Sequence, residues 1–175
     1  MPTPPGHGRH LRSVAPRDWQ DFSKSVLQGR KSMTLHNVFV AGNPRGQPRP
    51  RAFARHGKAR VYDPGTAEHW KSQIALAFPQ TILAYAGPVA VTLHFGFMRP
   101  KSHFRKGGGL TKSAPLAHLG KPDLDNAIKA VLDALTTIGV WPDDTQVVDL
   151  CATKRYADPG DRAGCQITIA TQGAF

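Results

Sequence analysis

Apolar residues recur along this chain at two periods. From Leu124 they fall at Ile128, Val131, Leu132, Leu135 and Ile138, and this spacing puts one stripe on a helix. From Pro88 to Met98 the period is two. Val89, Val91, Leu93, Phe95 and Phe97 alternate with Ala90, Thr92, His94 and Gly96, which predicts a half-buried strand with His94 on its wet side. Shorter apolar runs predict strands over Leu35–Ala41, up to Val61-Tyr62, over Gln146–Tyr156 and over Gly164–Ala170. A second helix opens after Asp63-Pro64 with Thr66 as its cap. It runs through Trp70, Ile74 and Ala77 until Pro79 stops it. Gly42-Asn43-Pro44 reads as a turn, and Gly139 stands where a helix ends in a left-handed residue. No internal repeat is visible. This order predicts an α+β fold, a single domain with a mixed β-sheet and helices packed mainly on one face.

The 175 residues suffice for one domain with a real core. Residues 1–33, rich in Pro, Gly, Arg and Ser and without periodicity, read as a flexible basic extension ahead of a domain at 34–175. Met33, just before the first strand, is an alternative translation start. No run approaches the roughly twenty apolar residues of a membrane helix, and the first residues lack the apolar core of a signal peptide. Cys151 and Cys165 have neither zinc-site spacing nor an adjacent histidine, which fits a reducing cytoplasm.

Charge sharpens the picture. The formal net charge is +11, and residues 1–60 carry twelve Lys and Arg against Asp18 and Asp21. Arg45, Arg49, Arg51 and Arg55 crowd a Pro-rich segment after the first strand. Arg99, Lys101, Arg105, Lys106 and Lys112 flank three glycines in a long loop placed to close over a bound strand. These segments lack amphipathic helical spacing, so the implied partner is nucleic acid and not a membrane. Arg45, Arg49, Arg51, Arg55, Lys101, Arg105, Lys106 and Lys121 are the candidate phosphate contacts, with Lys154-Arg155 beyond the core helix as a further pair.

Against that cationic background, six of the twelve acids lie between Lys121 and Asp149: Asp123, Asp125, Asp133, Asp143, Asp144 and Asp149. Only Lys121 and Lys129 oppose them. Taken singly, Asp123 reads as a helix cap, Asp143-Asp144 as a solvated turn, and Asp125 with Lys129 as a surface pair. Taken together they suit a hard divalent ion, which prefers carboxylate oxygen, water and phosphate. If the start of the helix meets the start of the next strand, Asp123, Asp125 and either Asp143 or Asp144 surround one ion.

The run D-x-D-N at Asp123–Asn126, then Lys129, D-A-L at Asp133–Leu135 and D-D-x-Q-V at Asp143–Val147 resembles the RusA family of Holliday junction resolvases in order and spacing. The resemblance extends more loosely over 35–171. It implies a homodimer in which Asp123, Asp125 and Asp144 bind Mg²⁺ (or Mn²⁺) and carry catalysis with Lys129. The implied substrate is a DNA four-way junction, opened by paired symmetrical nicks in recombination and repair, in the cytoplasm of a bacterium or of a phage host. Thr136-Thr137 replaces the Asn-Gly that many members carry after D-A-L. Two rival readings are a structure-selective nuclease acting on other branched DNA and a non-catalytic basic DNA-binding protein.

Overall fold

The chain is seen in a computed structural model that describes residues 32–48, 51–55, 58–62, 65, 67–78 and 84–172. Among them the elements run β1 (Ser32–Ala41), β2 (Arg51–Arg55), β3 (Lys58–Tyr62), α1 (Glu68–Ala77), β4 (Val89–Phe97), α2 (Leu124–Thr137), β5 (Val147–Tyr156) and β6 (Gly164–Gln172). Four strands form one sheet in the order β1-β6-β4-β5, and β2 pairs with β3 in a separate hairpin. β6 runs antiparallel to both of its neighbours, while β4 and β5 are parallel. The sheet is therefore mixed, as the element order implied. Thr66 and Pro79, the predicted ends of the first helix, lie outside the described residues, as do 1–31.

Both helices share a core with one face of the sheet. Trp70, Ile74, Val131, Leu135 and Trp141 meet Val89, Val91, Leu93, Phe95 and Ile167 there. The predicted stripe on α2 is displaced by part of a turn. Leu124, Ile128 and Leu132 are half-buried, while Ala127, Ala130, Val131, Ala134 and Leu135 form the fully buried line. Alanines at three of those five positions let the helix axis lie close to the strands.

β4 departs from expectation in a second way. All nine of its residues are buried, because it is a central strand flanked by β5 and β6. Thr92 and His94 are therefore interior polar groups. The ring Nδ1 of His94 meets Thr153 Oγ1 at 2.8 Å, so His94 is not a surface residue. A buried polar side chain needs such a partner.

α2 ends in a Schellman motif. Gly139 has φ +77°, its N–H donates to Thr136 O, and the N–H of Val140 donates to Leu135 O, both at 3.0 Å. Leu135 and Val140, the two residues so linked, are both core residues. Thr136 adds a side-chain tie by accepting from the indole of buried Trp141 at 2.8 Å and donating to Leu132 O at 3.0 Å. Thr136 thus anchors the helix end through its hydroxyl. No atom stands within 4 Å of a Cβ built on Gly139, so Gly139→Ala tests the backbone alone. It should cost about 1–2 kcal/mol, the usual penalty of a left-handed non-glycine residue, read as a lower denaturation midpoint with an unchanged denaturant slope.

Candidate active site

Asp123 occupies the N-cap position of α2, and its backbone carbonyl accepts the first helical N–H, from Ala127, at 3.0 Å. Its carboxylate makes no capping bond. Asp125, in the first turn, is exposed as well. Among the described residues neither acid takes part in a side-chain hydrogen bond or an ion pair. The capping role suggested for Asp123 is thus not taken up, and two hard anionic groups stand uncommitted at the positive end of a helix dipole.

Other residues fix this end of α2. Lys154, on β5, donates to Gly120 O at 2.9 Å and to Pro122 O at 2.8 Å. Two of its three N–H groups are thereby committed to the backbone ahead of α2. Opposite it, the segment after β1 lies so close to α2 that a Cβ on Gly46 would stand 2.7 Å from Pro122 Cβ and 3.1 Å from Asn126 Cβ. Gln47 N donates to Asn126 O at 2.9 Å. Exposed Arg45 immediately precedes this contact and lines an open cleft of about 520 Å³ on the α1 side, with Asn43, His69, Trp70 and Gln73. Lys154, Gly46 and Gln47 carry no local signal in the sequence, since each acts across a tertiary contact.

The predicted long loop before α2 is built, not loose. Phe104 and Leu110 bridge around the three glycines, and Thr111 N donates to His103 O at 3.0 Å. Arg99 is buried, donates to Ala157 O and Pro115 O at 2.8 Å each, and sits 5.3 Å from the Tyr156 ring centroid. It ties the loop to β5 and does not face an anion. His118 stacks on Phe97 with ring centroids 4.0 Å apart and meets Tyr156 edge-on at 4.8 Å. Burial, then the nearby Lys154 charge, holds its pKa below the ordinary histidine value. Lys101, Arg105, Lys106, Lys112 and Lys121 remain exposed, whereas Arg155 pairs with Asp158 at 3.7 Å.

Asp143 and Asp144 begin a 3-10 turn, Asp144–Gln146, just ahead of β5. The Asp143 carboxylate caps that turn by accepting from Thr145 N at 2.8 Å, and this bond first of all depresses its pKa. Asp144 is left exposed and outside that capping bond. Gln146 pins the turn by donating to Tyr85 O and Gly87 O, and Tyr85 N reaches back to Val140 O. The turn therefore belongs to the C-terminal end of α2, whereas Lys154 marks the N-terminal end. Fourteen residues at about 1.5 Å rise span roughly 20 Å between them.

The expected meeting of helix start and strand start thus does not occur within one chain. Among the described residues no three His, Cys, Asp or Glu side chains form a metal-holding group. Asp123 and Asp125 share the first turn of α2, and Asp143 and Asp144 stand beyond its other end. As donors, the first pair still suits Mg²⁺, which often takes one or two carboxylates and completes its shell with water and phosphate. Lys129, one turn beyond Asp125, bonds Asp133 at 3.1 Å and is largely exposed. Arg49 lies outside the described residues, and the side chains of Arg51 and Arg55 are likewise outside the description.

Residues 41–169 match the family model described as Endodeoxyribonuclease RusA. The chain belongs to the RusA family. It is thereby an endodeoxyribonuclease. Among relatives, the "Uncharacterized protein YqaN" of Bacillus subtilis strain 168 is 36% identical over 125 residues, covering 68% of this chain and 86% of that protein. The "Crossover junction endodeoxyribonuclease RusA" of Escherichia coli K12 is 26% identical over 126 residues, 72% of this chain and 89% of that one. Its counterpart from Enterobacteria phage 82 is 47% identical over 51 residues, 29% of this chain and 41% of the phage protein. No described helix is long and apolar enough to cross a membrane.

Within this RusA-family scaffold, Lys154→Met should remove two charge-assisted hydrogen bonds worth about 1.5–3 kcal/mol each. DNA cleavage should slow at least roughly tenfold, while Arg45-side contacts persist. Cleavage by Lys154→Met at the wild-type rate, with fold verified by circular dichroism, would show that the clamp does not position the acids.

Proposed function

We propose that this protein is a divalent-metal-dependent resolvase of four-way DNA junctions, acting as a two-fold homodimer that makes paired symmetrical nicks. The observation that carries it is the uncommitted Asp123–Asp125 pair at the start of α2, set beside the basic segment at Arg45 in a RusA-family chain. A cationic surface draws in the DNA backbone and the acids recruit the ion. When bound, the ion supplies an activated water and neutralises charge on the phosphate.

The protein's own groups do the rest. Asp123 and Asp125 orient the ion and the phosphate beside it. Lys129 can exchange its exposed partner Asp133 for the growing phosphate charge, one turn from Asp125. Arg45 and the exposed lysines of the loop before α2 hold flanking phosphates. Asp144 is the remaining acid, and Asp143 already serves its turn. Because Asp144 lies at the far end of α2, it completes the site from a second copy: Asp123 and Asp125 of one protomer face Asp144 of the other. Two such sites follow from one two-fold axis, matching the two equivalent strands of a junction.

Incubation with a synthetic four-way junction, a linear duplex and a single strand should give Mg²⁺-dependent cuts in the junction alone, and Asp125→Asn should abolish them. Salt-sensitive binding with no cutting in any metal would favour a non-catalytic DNA-binding protein instead. Composition of the site across copies is tested separately. Asp123→Asn and Asp144→Asn should each be inactive, and co-expressed together should regain about one quarter of wild-type sites. A site contained in one chain would regain none.

A further inference from the structure

Leu119 is 90% exposed, more than any other large apolar side chain among the described residues. Single leucines on a surface are ordinary. This one differs in what holds it and in what surrounds it. Its neighbours on both sides are anchored. His118 is buried with its ring stacked on Phe97, centroids 4.0 Å apart, and Ala117 bridges to Arg155 on β5. On the other side, the Gly120 and Pro122 carbonyls accept from Lys154 at 2.9 and 2.8 Å. A leucine on a loose chain would fold back onto apolar surface. Leu119 is instead held out in water by the ties of its own backbone, and it forgoes the burial that a core leucine gains.

The surroundings are cationic. From Arg99 to Pro122 the chain has no Asp or Glu. Lys101, Arg105, Lys106, Lys112 and Lys121 are all exposed along it. Lysine is depleted at protein–protein contacts, whereas a run of cations with no acid among them is the footprint of a polyanion. The exposed leucine is therefore presented to nucleic acid. Its distance from the acids is bounded as well. Asp123 follows four residues later, and four residues of chain span at most about 14 Å. Along a duplex that is about four base-pair steps.

We propose that Leu119 is a wedge that enters the base stack of branched DNA near the scissile phosphate and discriminates a branch from continuous duplex. Apolar side chains inserted between base steps unstack them, at a cost in stacking. That cost is least where a base is already without its partner or neighbour. At a branch, strands leave one helix for another and a base pair loses its stacked continuation, so the leucine is buried against base faces with little stacking lost. In unbroken duplex the same insertion separates two stacked pairs. The surrounding cations attract both DNAs, because phosphates are common to both. Discrimination therefore falls to the apolar residue. The proposal rests on the junction-cleaving reading above and supplies that reading with a residue for its choice of substrate.

The test uses full-length protein with two synthetic DNAs, a four-way junction and a linear duplex, each carrying 2-aminopurine at the position of the branch. This base brightens when it unstacks, and EDTA keeps the DNA intact during the measurement. Saturating wild type should raise the junction signal and leave the duplex signal unchanged. Leu119→Ser should remove the rise and slow junction cutting in Mg²⁺ roughly tenfold, with duplex affinity and circular dichroism unchanged. Leu119→Met, of similar volume, should keep both the rise and the rate. A rise that survives in Leu119→Ser, or a wild type that binds the junction without any rise, would overturn the wedge. A lost rise with cutting unchanged would overturn its part in substrate choice. If Leu119→Ser changed the sedimenting mass, the leucine would serve a protein contact and the wedge would fall. Should wild type raise the signal yet cut no junction in Mg²⁺, the wedge would stand and the resolvase reading would fail.

Discussion

Parallel pairing of β4 with β5 dictates where the chemistry of this chain can be. A chain that leaves one strand and enters a parallel neighbour must travel back along the sheet, and here α2 makes that return. Its first turn therefore lies by the C-terminal ends of the two strands, and its last turn by their beginnings. Two acidic motifs that flank one helix in sequence are held apart by the length of that helix. The same topology gathers Lys154, His118, Arg99 and the Gly46 segment at the first end, and Gln146, Tyr85 and Val140 at the other.

Each end is a small polar assembly that rigidifies a backbone and leaves carboxylates over. At one, an ammonium group satisfies the carbonyls that lead into α2, and the Asp123 carboxylate makes no capping bond. At the other, Asp143 satisfies the turn and Asp144 is left outside the cap. Side chains that would lower their own energy by bonding nearby N–H groups are thus kept available. Excess positive charge elsewhere in the chain offsets their mutual repulsion and attracts the polyanion on which a RusA-family endonuclease acts.

What could be read in the sequence was local. The span of α2, its left-handed stop at Gly139 and the D-x-D-N, D-A-L and D-D-x-Q-V spacing all depend on residues within a few turns of each other. The strands of the four-stranded sheet were legible for the same reason, whereas β2 lies in a stretch that reads as a Pro-rich loop. Burial of His94 was not, because a strand with alternating polarity looks alike at the rim and in the centre, and its neighbours are decided by topology. Nor were the tasks of Arg99 and Lys154: a basic residue in a basic protein looks like a phosphate contact until a backbone carbonyl is found beside it. The convergence of Asp123, Asp125 and Asp144 failed within one chain because adjacency in sequence says nothing about which ends of two parallel strands a helix joins.

Gly46 has a consequence for how the protein responds to its surroundings. Nothing larger than a hydrogen atom fits between that residue and Pro122, so van der Waals contact sets the spacing of the arginine-bearing segment from α2. Ionic strength screens the pull of Arg45 on an anion over about 10 Å at 0.1 M. It does not move the guanidinium's anchor relative to the two carboxylates. Salt will therefore weaken the hold on a polyanion while leaving the spacing of the holding groups unchanged.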